Sequence, residues 1–194
     1  MWDRYGNLRD VRLLDDLLQH ARLKRAAARI GHGCRVLDIG CHQGELTAML
    51  AGQHCSYMGL DPQVEEPTPT LVRGSFPRDV PRSWLDSRFD HLVALAVLEH
   101  VPASELYDLF RSASELLVPD GSLIATVPSP ATDHVLFVLE RLRLIDGMDL
   151  EAHDGRTIGE LCGAAAEAGL HLTEHRRFQL GLNNLLVWTR ATDA

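Results

Sequence analysis

The chain has 194 residues, of which 45% are hydrophobic and 24% are charged, and it carries a formal net charge of −8. This length fits one domain with a sizeable buried core, and the excess of acidic residues disfavours nucleic acid as a partner, because phosphate backbones bind clustered Lys and Arg. No apolar run approaches the ~18 residues that a membrane span needs, and the charged start MWDRYGNLRD lacks the apolar core of a secretory signal, so we expect a cytoplasmic protein without a membrane span.

Cysteine and histidine spacing favours neither disulfides nor a metal site. None of the four cysteines belongs to a CxxC pair, and a reducing compartment favours free thiols. His171 and His175 have the spacing of metal ligands on a helix, but they lie in LHLTEHRRF, which alternates like a strand. Four residues along a strand separate two side chains by more than ~13 Å, which is too far for one metal ion. We therefore predict no metal.

The hydrophobic pattern predicts alternating helices and strands. Leu14, Leu17, Leu18 and Ala21 have helical spacing, so residues 8–30 are predicted to form an amphipathic helix, with the basic residues of HARLKRAAARI on its solvated face. After it we predict, in chain order, the strand CRVLDI, the helix ELTAMLA, the strands CSYMGLD, TLVRG and FDHLVALAVL, a helix beginning at Pro102, a PDG turn, the strand SLIATVP, the helices ATDHVLFVLERLRLI and RTIGELCGAAAEAG, and the strands LHLTEHRRFQL and NNLLVWTR.

The order of these elements predicts an α/β fold. Strands that alternate with helices form a mostly parallel sheet with helices on both faces, which is a doubly wound arrangement. The last two strands are joined only by QLGL, which is too short for a parallel crossover, so they must pair antiparallel. We therefore predict a seven-stranded sheet that is mostly parallel, with one antiparallel strand near the C-terminus.

The stretch VLDIGCHQGELTAML, at residues 36–50, places an acid and two glycines at a strand-to-helix junction. Ligands of parallel sheets bind at the carboxyl ends of the strands, near the point where the strand order reverses. Asp38 lies at the end of the first strand, and Gly40 and Gly44 lie in the turn that follows, where glycine lets a ligand approach the main chain. Asp61 ends the next strand, and an acid there can accept both hydroxyls of a ribose. The arrangement is that of an adenosine nucleoside site.

Two kinds of cofactor use such a site. Dinucleotide enzymes require GxGxxG, with the pyrophosphate at the helix N-terminus. This chain has GxxxG spacing followed directly by Glu45, whose charge would repel a phosphate. S-adenosylmethionine has no phosphate; it carries a sulfonium and an amino group, and acids favour both. A simpler alternative stays open, in which Asp38 caps the next helix and the glycines serve only the turn.

In several successive stretches the chain resembles class I S-adenosylmethionine-dependent methyltransferases. VLDIGCHQGE is similar to the first motif of that family, YMGLDP to its second, FDHLVALAVLEHVP to its fourth and LLVPDGSLIATVPSP to the motif after it, while GLNNLLVWTR resembles the last strand of one subgroup. The resemblance runs from about Val36 to Arg190 and implies a Rossmann-like fold with S-adenosylmethionine as cofactor. In the LEH-containing subfamilies the substrates are usually small molecules, lipids or sugars. One departure is His42, which stands where the family usually has glycine.

The resemblance and the strand ends together imply a set of cofactor-binding residues. Asp61 is expected to bind the ribose hydroxyls, and Asp38 with the Gly40–Gly44 turn is expected to surround the methionine part. Ser75 or its backbone is expected to bond the adenine edge, with Phe76 either beside the ring or in the ordinary core. The full set is Asp38, Gly40, Cys41, His42, Gly44, Asp61, Pro62, Gly74, Ser75, Phe76, Leu95 and Ala96.

Methylation of an oxygen calls for a general base, and histidine suits that role because its unperturbed pKa lies near ~6.5. His100 follows the fourth strand in LEHVP, at the ligand end of the sheet, although it could instead brace the following helix. His153 lies between two predicted helices, where a substrate-side loop is expected, although it could be an ordinary exposed histidine. We name His153 and His100 as candidate catalytic residues and prefer His153, because His100 is tied to a helix start.

We predict one domain over residues 1–194. Residues 1–33 form an N-terminal helical segment, 34–127 a cofactor-binding half and 128–194 a substrate-side half. The leading hypothesis is methyl transfer from S-adenosylmethionine to a small-molecule acceptor at oxygen; the alternatives are a non-catalytic cofactor-binding protein of the same fold and a nicotinamide-dependent oxidoreductase. The chain has little room for an inserted substrate domain. The acceptor pocket is therefore expected from the N-terminal helix, residues 128–156 and, if the protein is a homodimer, a partner subunit.

Overall fold

The structure is a computed structural model that describes residues 4–129 and 157–191, with residues 4–15 described as helix backbone. The predicted helix ATDHVLFVLERLRLI and the candidate base His153 lie outside the described residues. Within the described ranges, we find no helix that is both long enough and apolar enough to cross a membrane.

One mixed sheet organises the described chain. Its strands are β1 (Arg35–Ile39), β2 (Ser56–Asp61), β3 (Leu71–Arg73), β4 (Phe89–Leu95), β5 (Leu117–Pro128), β6 (Leu170–Phe178) and β7 (Asn183–Arg190). The sheet has 7 strands in the order β3-β2-β1-β4-β5-β7-β6. β7 runs antiparallel to both β5 and β6, and the remaining neighbours pair parallel. The predicted fold class is confirmed, including the reversed strand next to the edge of the sheet.

Helices cover both faces of this sheet. They are α1 (Arg4–Ala27), α2 (Leu46–Leu50), α3 (Arg82–Leu85), α4 (Ala103–Leu116) and α5 (Ile158–Glu167). The first helix begins and ends earlier than the predicted residues 8–30, and α3 escapes the sequence pattern because a single turn has no readable periodicity. A capping box starts α5: the Glu160 N–H donates to the Thr157 hydroxyl at 3.2 Å, and the Thr157 N–H donates to the Glu160 carboxylate at 2.9 Å.

Neighbouring residues of the central strands belong to two different hydrophobic cores. Leu37, Leu92 and Leu123 are fully buried in the core that includes α4 and α5. Val93 and Ile124, one position further along their strands, are fully buried in the core that includes α1 and α2. Burying such a side chain contributes about 1.5–3 kcal/mol. Because helices cover both faces, the central strands β1 and β4 are mostly apolar, as is typical of a parallel sheet, whereas the edge strand β6 is mostly polar and exposed.

The predicted PDG turn lies inside β5 rather than before it. Phe89 of β4 pairs with Leu117, whereas His91 pairs with Ser122, so the segment between these two pairs bulges out of the ladder. Asp120 in this segment has a φ of 62°, a left-handed conformation that Asp tolerates. The sequence predicted a strand that begins at Ser122. The strand begins at Leu117 instead, because a bulge interrupts the pairing without ending the strand.

The strand order reverses at β1. From β1 the chain moves outward through β2 to β3, and it then crosses to β4 on the other side of β1. The carboxyl ends of β1 and β4 therefore meet at the switch point, where ligands of such sheets bind. Because β1 to β4 are parallel, the loops that follow them open at the same edge of the sheet.

Side-chain contacts attach α1 and the residues after it to the hairpin of β6 and β7. The Gln179 side-chain amide donates to the Leu18 carbonyl of α1 at 3.2 Å, and the Asn183 side-chain amide donates to Gln179 in turn. The Arg29 guanidinium forms a two-pronged ion pair with the Glu174 carboxylate, with an Nε to Oε2 distance of 3.0 Å. These contacts hold α1 and the residues after it against the hairpin, while Gln19, Arg22 and Leu23 of α1 lie beside the carboxyl end of β1.

Candidate active site

Asp38 lies near the carboxyl end of β1, and its side chain is buried. The Tyr57 hydroxyl on β2 donates a hydrogen bond of 2.9 Å to its Oδ2 atom. Burial raises the pKa of Asp38 to about 7; the Tyr57 hydrogen bond opposes this rise, and the charges of Glu45 and Asp61 add to it. The carboxyl therefore changes protonation near neutral pH, and a cation beside it would favour the charged form.

The turn after β1 depends on glycine at position 40. Gly40 has a φ of 70°, and a Cβ atom there would overlap the Val97 Cγ2 methyl group of the loop after β4. Its N–H donates to the Leu60 carbonyl at 2.8 Å, which ties the turn to β2. Gly44, with a φ of 89°, donates its N–H to the Cys41 carbonyl at 2.8 Å and closes the turn. The main chain is thereby held tightly between neighbouring strand ends.

His42 lies inside this turn in the left-handed conformation, with a φ of 49°. Glycine adopts that conformation without strain, which gives a physical reason for the glycine that the resembled family usually has here. The Nδ1 atom of the His42 ring lies 2.6 Å from Glu45 Oε1. This hydrogen bond with Glu45 is the main cause that raises the pKa of the His42 imidazole.

Asp61 ends β2 and joins two loops. Its Oδ2 atom accepts a hydrogen bond from the His42 N–H at 2.9 Å, and its Oδ1 atom accepts one from the Gln63 N–H at 2.6 Å. A carboxylate offers about four acceptor positions, so both oxygens can accept further hydrogen bonds. Asp61 therefore stabilises the turn and keeps the capacity to bind a ligand.

A cleft of about 70 Å³ lies beside Asp38. Its lining consists of Gln19, Arg22 and Leu23 from α1 and of Asp38, Gly40, Cys41, His42, Glu45 and Leu95 from the sheet edge. The place of Arg22 corrects the expectation that the basic residues of HARLKRAAARI lie only on a solvated face. A helical period shows which residues share a face but not what that face meets, so the sequence carried no signal for Arg22.

A larger cavity of about 540 Å³ opens between the loops after β2, β3 and β4. Its lining consists of Pro62, Ser75, Phe76, Pro77, Arg78, His100, Val101, Pro102, Glu105, Asp108 and Leu109. The Ser75 N–H donates to Asp79 Oδ2 at 2.8 Å, and its carbonyl accepts from the Asp79 N–H at 2.9 Å. The main chain of Ser75 thus serves its own turn, which leaves the hydroxyl for a ligand. Phe76 packs against the core and also lines this cavity.

Most of the predicted site residues in the described ranges lie along these two cavities, whereas Asp61 is buried at the end of β2 and is in neither lining. The cleft receives Asp38, Gly40, Cys41, His42 and Leu95, and the larger cavity receives Pro62, Ser75, Phe76 and His100. Gly44, Gly74 and Ala96 shape turns at the same edge: a Cβ atom on Gly74 would meet Asp79 Cβ at 2.5 Å, and Ala96 is left-handed with a φ of 57°. The binding roles of all these residues stay predictions.

The cysteines are free thiols in the structure. Burial, helped by the charges of Asp38 and Asp61, raises the pKa of the Cys41 thiol to about 12, so this cleft residue stays neutral at physiological pH. Across residues 4–129 and 157–191, no group of three or more His, Cys, Asp or Glu side chains is placed to hold a metal ion.

The sheet order and the acids at the ends of β1 and β2 are those of class I S-adenosylmethionine-dependent methyltransferases. The sequence model of a family described as a methyltransferase domain matches residues 9–175. This match covers most of the chain, so the chain belongs to the methyltransferase domain family. The cofactor of this class of enzymes is S-adenosylmethionine.

Similar sequences are named ubiquinone biosynthesis O-methyltransferases. The protein from Azorhizobium caulinodans is 31% identical over an alignment covering 63% of this chain and 49% of that protein. The mitochondrial protein from Mus musculus is 28% identical, covering 64% of this chain and 39% of its own length. The protein from Proteus mirabilis is 24% identical, covering 99% and 87%. The chain thus spans half or less of the length of the first two of these relatives.

Solved structures share the fold. The pyocyanin biosynthetic protein PhzM superposes with a TM-score of 0.64 at 17% identity, covering 98% of this chain and 62% of that one. CalO1, a methyltransferase of calicheamicin biosynthesis solved with SAH bound, gives 0.64 at 18% identity, covering 90% and 54%. A TehB-like methyltransferase from Corynebacterium glutamicum gives 0.61 at 17% identity, covering 97% and 100%. At these identities the likeness concerns the fold.

Proposed function

We propose that this chain transfers the methyl group of S-adenosylmethionine to an oxygen atom of a small-molecule acceptor. The observation that carries the proposal is the pair of acids Asp38 and Asp61 at the carboxyl ends of two adjacent strands, joined through the Gly40 turn and the His42 N–H. The choice of oxygen is supported by the O-methyltransferase names of the relatives.

The charges of the cleft suit S-adenosylmethionine. Its ammonium and sulfonium groups are cations, and Glu45 and Asp61 lie close enough to Asp38 for their charges to act on its carboxyl group. A bound cation would favour the ionised form of Asp38, whose pKa of about 7 makes that change available near neutral pH. Arg22 lines the same cleft, which supports a role in binding the cofactor's carboxylate.

The remaining predicted residues fit the adenosine part. Asp61 has acceptor capacity for the ribose hydroxyls, because each of its oxygens carries one backbone hydrogen bond and can accept another. Pro62 and Phe76 give the larger cavity apolar surface for the adenine, and the Ser75 hydroxyl supplies a polar contact. When bound, the cofactor supplies an electrophilic methyl group. The protein residues would hold it in place.

The acceptor must lose a proton during O-methylation, and a base in contact with it would contribute about 10²–10⁴-fold in rate. His100 lies in the larger cavity with Ser75 and Phe76, and it is absent from the lining of the cleft near Asp38. This position favours contact with the adenosine side over contact with the methyl group. We therefore retain His153 as the preferred base, as a prediction for a residue outside the described ranges.

Calorimetry with S-adenosylmethionine, S-adenosylhomocysteine and NAD, followed by transfer of labelled methyl to a panel of phenols and alcohols, tests the proposal. We expect the two adenosyl ligands to bind, NAD to give no heat of binding, and label to appear on an oxygen. Binding of NAD in their place would overturn the proposal in favour of an oxidoreductase. Binding without transfer to any acceptor would favour the non-catalytic alternative.

A further inference from the structure

The fold requires no side chain at position 42, where the chain has a histidine. The residue has a φ of 49°, which is uncommon for non-glycine residues although histidine is enriched among the exceptions. Its contribution to the turn is the N–H that donates to Asp61, and glycine has that same group. The fold thus explains the backbone at this position but not the imidazole.

The imidazole forms part of the cleft wall together with Glu45. Their side chains are 2.6 Å apart and are 52% and 34% exposed, so the pair lies at the mouth of the cleft rather than in its interior. Both residues line the cleft that also contains Asp38 and Arg22. A ligand that enters next to Asp38 therefore lies near the ring of His42.

The charges around the ring come from each element that borders the cleft. The hydrogen bond with Glu45 raises the pKa of His42, partial burial lowers it, and the charges of Glu45, Asp61 and Glu65 raise it further. Arg22 of α1 and Asp38 of β1 complete the charged lining. The unperturbed pKa of histidine is near ~6.5, and these causes together raise the pKa of His42 above it.

We propose that His42 is a specificity-determining residue whose charge sets how strongly the cleft prefers the cationic donor S-adenosylmethionine over the neutral-sulfur product S-adenosylhomocysteine. The inference rests on the proposed function, because it concerns the two ligands of that reaction. The donor and the product share the adenosine and the amino-acid end. They differ in the methyl group and in the positive charge on sulfur, so a nearby charge discriminates between them.

The direction of the effect follows from the charge of the ring. A protonated His42 offsets the charge of Glu45 and repels the sulfonium, which weakens donor binding. A neutral His42 leaves the Glu45 carboxylate to attract the donor. Donor affinity therefore rises with pH, product affinity changes much less, and donor binding releases protons from the ring. Because the ring is half exposed and screened by solvent, we expect about a three- to tenfold change in the affinity ratio between pH ~6 and ~8 at low salt.

The test is calorimetry of both ligands at pH ~6, ~7 and ~8 with the wild-type protein, His42→Gly and His42→Asn. Glycine and asparagine both tolerate the left-handed backbone, so these variants remove the charge without straining the turn. His54→Gly is the matched control, because His54 is also left-handed, with a φ of 54°, but is exposed before β2 at the opposite edge of the sheet. The melting temperature of each variant checks that the fold is intact.

We expect the preference for the donor to increase with pH in the wild-type protein and in His54→Gly, and to depend less on pH in both His42 variants. Proton release on donor binding, measured in buffers of different ionisation enthalpy, should fall in the same two variants. Asp38 also titrates near neutral pH, but it is present in every variant, so the difference between variants isolates His42. If both ligands bind and the profiles of all variants coincide, the inference is wrong while the proposed function stands. If neither ligand binds the wild-type protein, both are wrong.

Discussion

The two cavities at the carboxyl edge of the sheet differ in the way they can recognise a ligand. The cleft beside Asp38 measures about 70 Å³, and charged groups from α1 and from the turn after β1 line it. The other cavity measures about 540 Å³, and its lining combines an apolar part around Pro62 and Phe76 with the charged residues Arg78, Glu105 and Asp108. The narrow cleft places charged groups close to any ligand it admits, whereas the apolar part of the larger cavity offers a ligand shape and apolar surface.

This difference predicts two kinds of sensitivity in one binding reaction. Electrostatic interactions at the mouth of the cleft respond to pH and to salt, because protonation changes the charges and ions screen them. Apolar contacts in the larger cavity respond to side-chain volume and hardly to either condition. Substitutions that change charge in one cavity and volume in the other should therefore separate the two contributions.

The largest effect is expected for Gly40→Ala in the cleft. The added Cβ atom would overlap the Val97 side chain and would occupy a φ of 70°, so we expect about 2–5 kcal/mol of destabilisation and loss of measurable cofactor binding. Gly33→Ala is the control, since Gly33 has a φ of 71° but no atom lies within 4 Å of the position that a Cβ atom would take, and it should lose only about 1 kcal/mol. Chemical denaturation measures both losses.

A second substitution separates the steric part of that effect. Val97→Ala removes the methyl group that the new Cβ would overlap. Gly40→Ala should lower the free energy of unfolding more than Gly33→Ala does, and the double variant Gly40→Ala/Val97→Ala should regain most of that extra loss. A double variant as unstable as Gly40→Ala would contradict the clash as the cause.

Asp61→Ala is expected to weaken binding of S-adenosylmethionine about tenfold or more, because a hydrogen bond to a charged group contributes about 1.5–3 kcal/mol. The backbone N–H groups of His42 and Gln63 also lose their acceptors in this variant, so its stability should fall. Asp61→Asn keeps one carbonyl oxygen and should recover part of the stability but less of the affinity. If calorimetry gives an unchanged affinity for Asp61→Ala, Asp61 does not bind the ribose hydroxyls.

Asp38→Asn should change how the stability of the ligand-free protein depends on pH. The pKa of Asp38 is raised in the folded state from 3.8 to about 7, so the folded protein binds more protons than the unfolded chain between these values. The stabilisation from this group is complete below pH ~4 and is lost as the pH rises through ~7. Relative to Asp38→Asn, the wild-type protein should lose about 1–3 kcal/mol between pH ~5 and ~8. Parallel stability curves would show that burial does not shift this carboxyl.

The smallest effect is expected for Arg22→Gln, which should weaken cofactor binding about threefold to tenfold at low salt, with a smaller loss at high salt. Lys24→Gln removes the same charge from an exposed position on α1 and should leave the affinity unchanged. A salt-independent loss for Arg22→Gln would mean that Arg22 acts by packing rather than by charge.

Phe76→Leu in the larger cavity should weaken cofactor binding by an amount that does not depend on salt.

The fold could be predicted from the sequence because its signals are local. Apolar strands such as FDHLVALAVL alternate with amphipathic helices, and the short link QLGL leaves only an antiparallel pairing for the last two strands. α3 and the bulge around Asp120 could not be predicted, because a single helical turn and an interrupted ladder have no periodicity of their own.

The sequence predicted only those residues of the candidate site whose role follows from their position along the chain. Asp38 and Asp61 follow from their places at strand ends, and the structure brings both to one edge. The contact between Tyr57 and Asp38 depends on how two strands lie side by side, and the place of Arg22 depends on which surface α1 covers. Such contacts between distant parts of the chain also determine the pKa values, so the sequence alone could not indicate them.

The attachment of α1 to the hairpin of β6 and β7 has a consequence for the order in which the site can be assembled during synthesis. The helix that carries Arg22 is synthesised early, but Gln179, which bonds Leu18 of this helix, and Glu174, which pairs with Arg29 just after it, are synthesised late. The turn after β1 can form once β2 and β4 are in place, and α1 can then pack on Val93 and Ile124, but its hydrogen bond with Gln179 can form only later. In a nascent chain that has reached β5, the acids of the cleft are therefore already present, but the contacts of the α1 region with the hairpin of β6 and β7 cannot yet have formed.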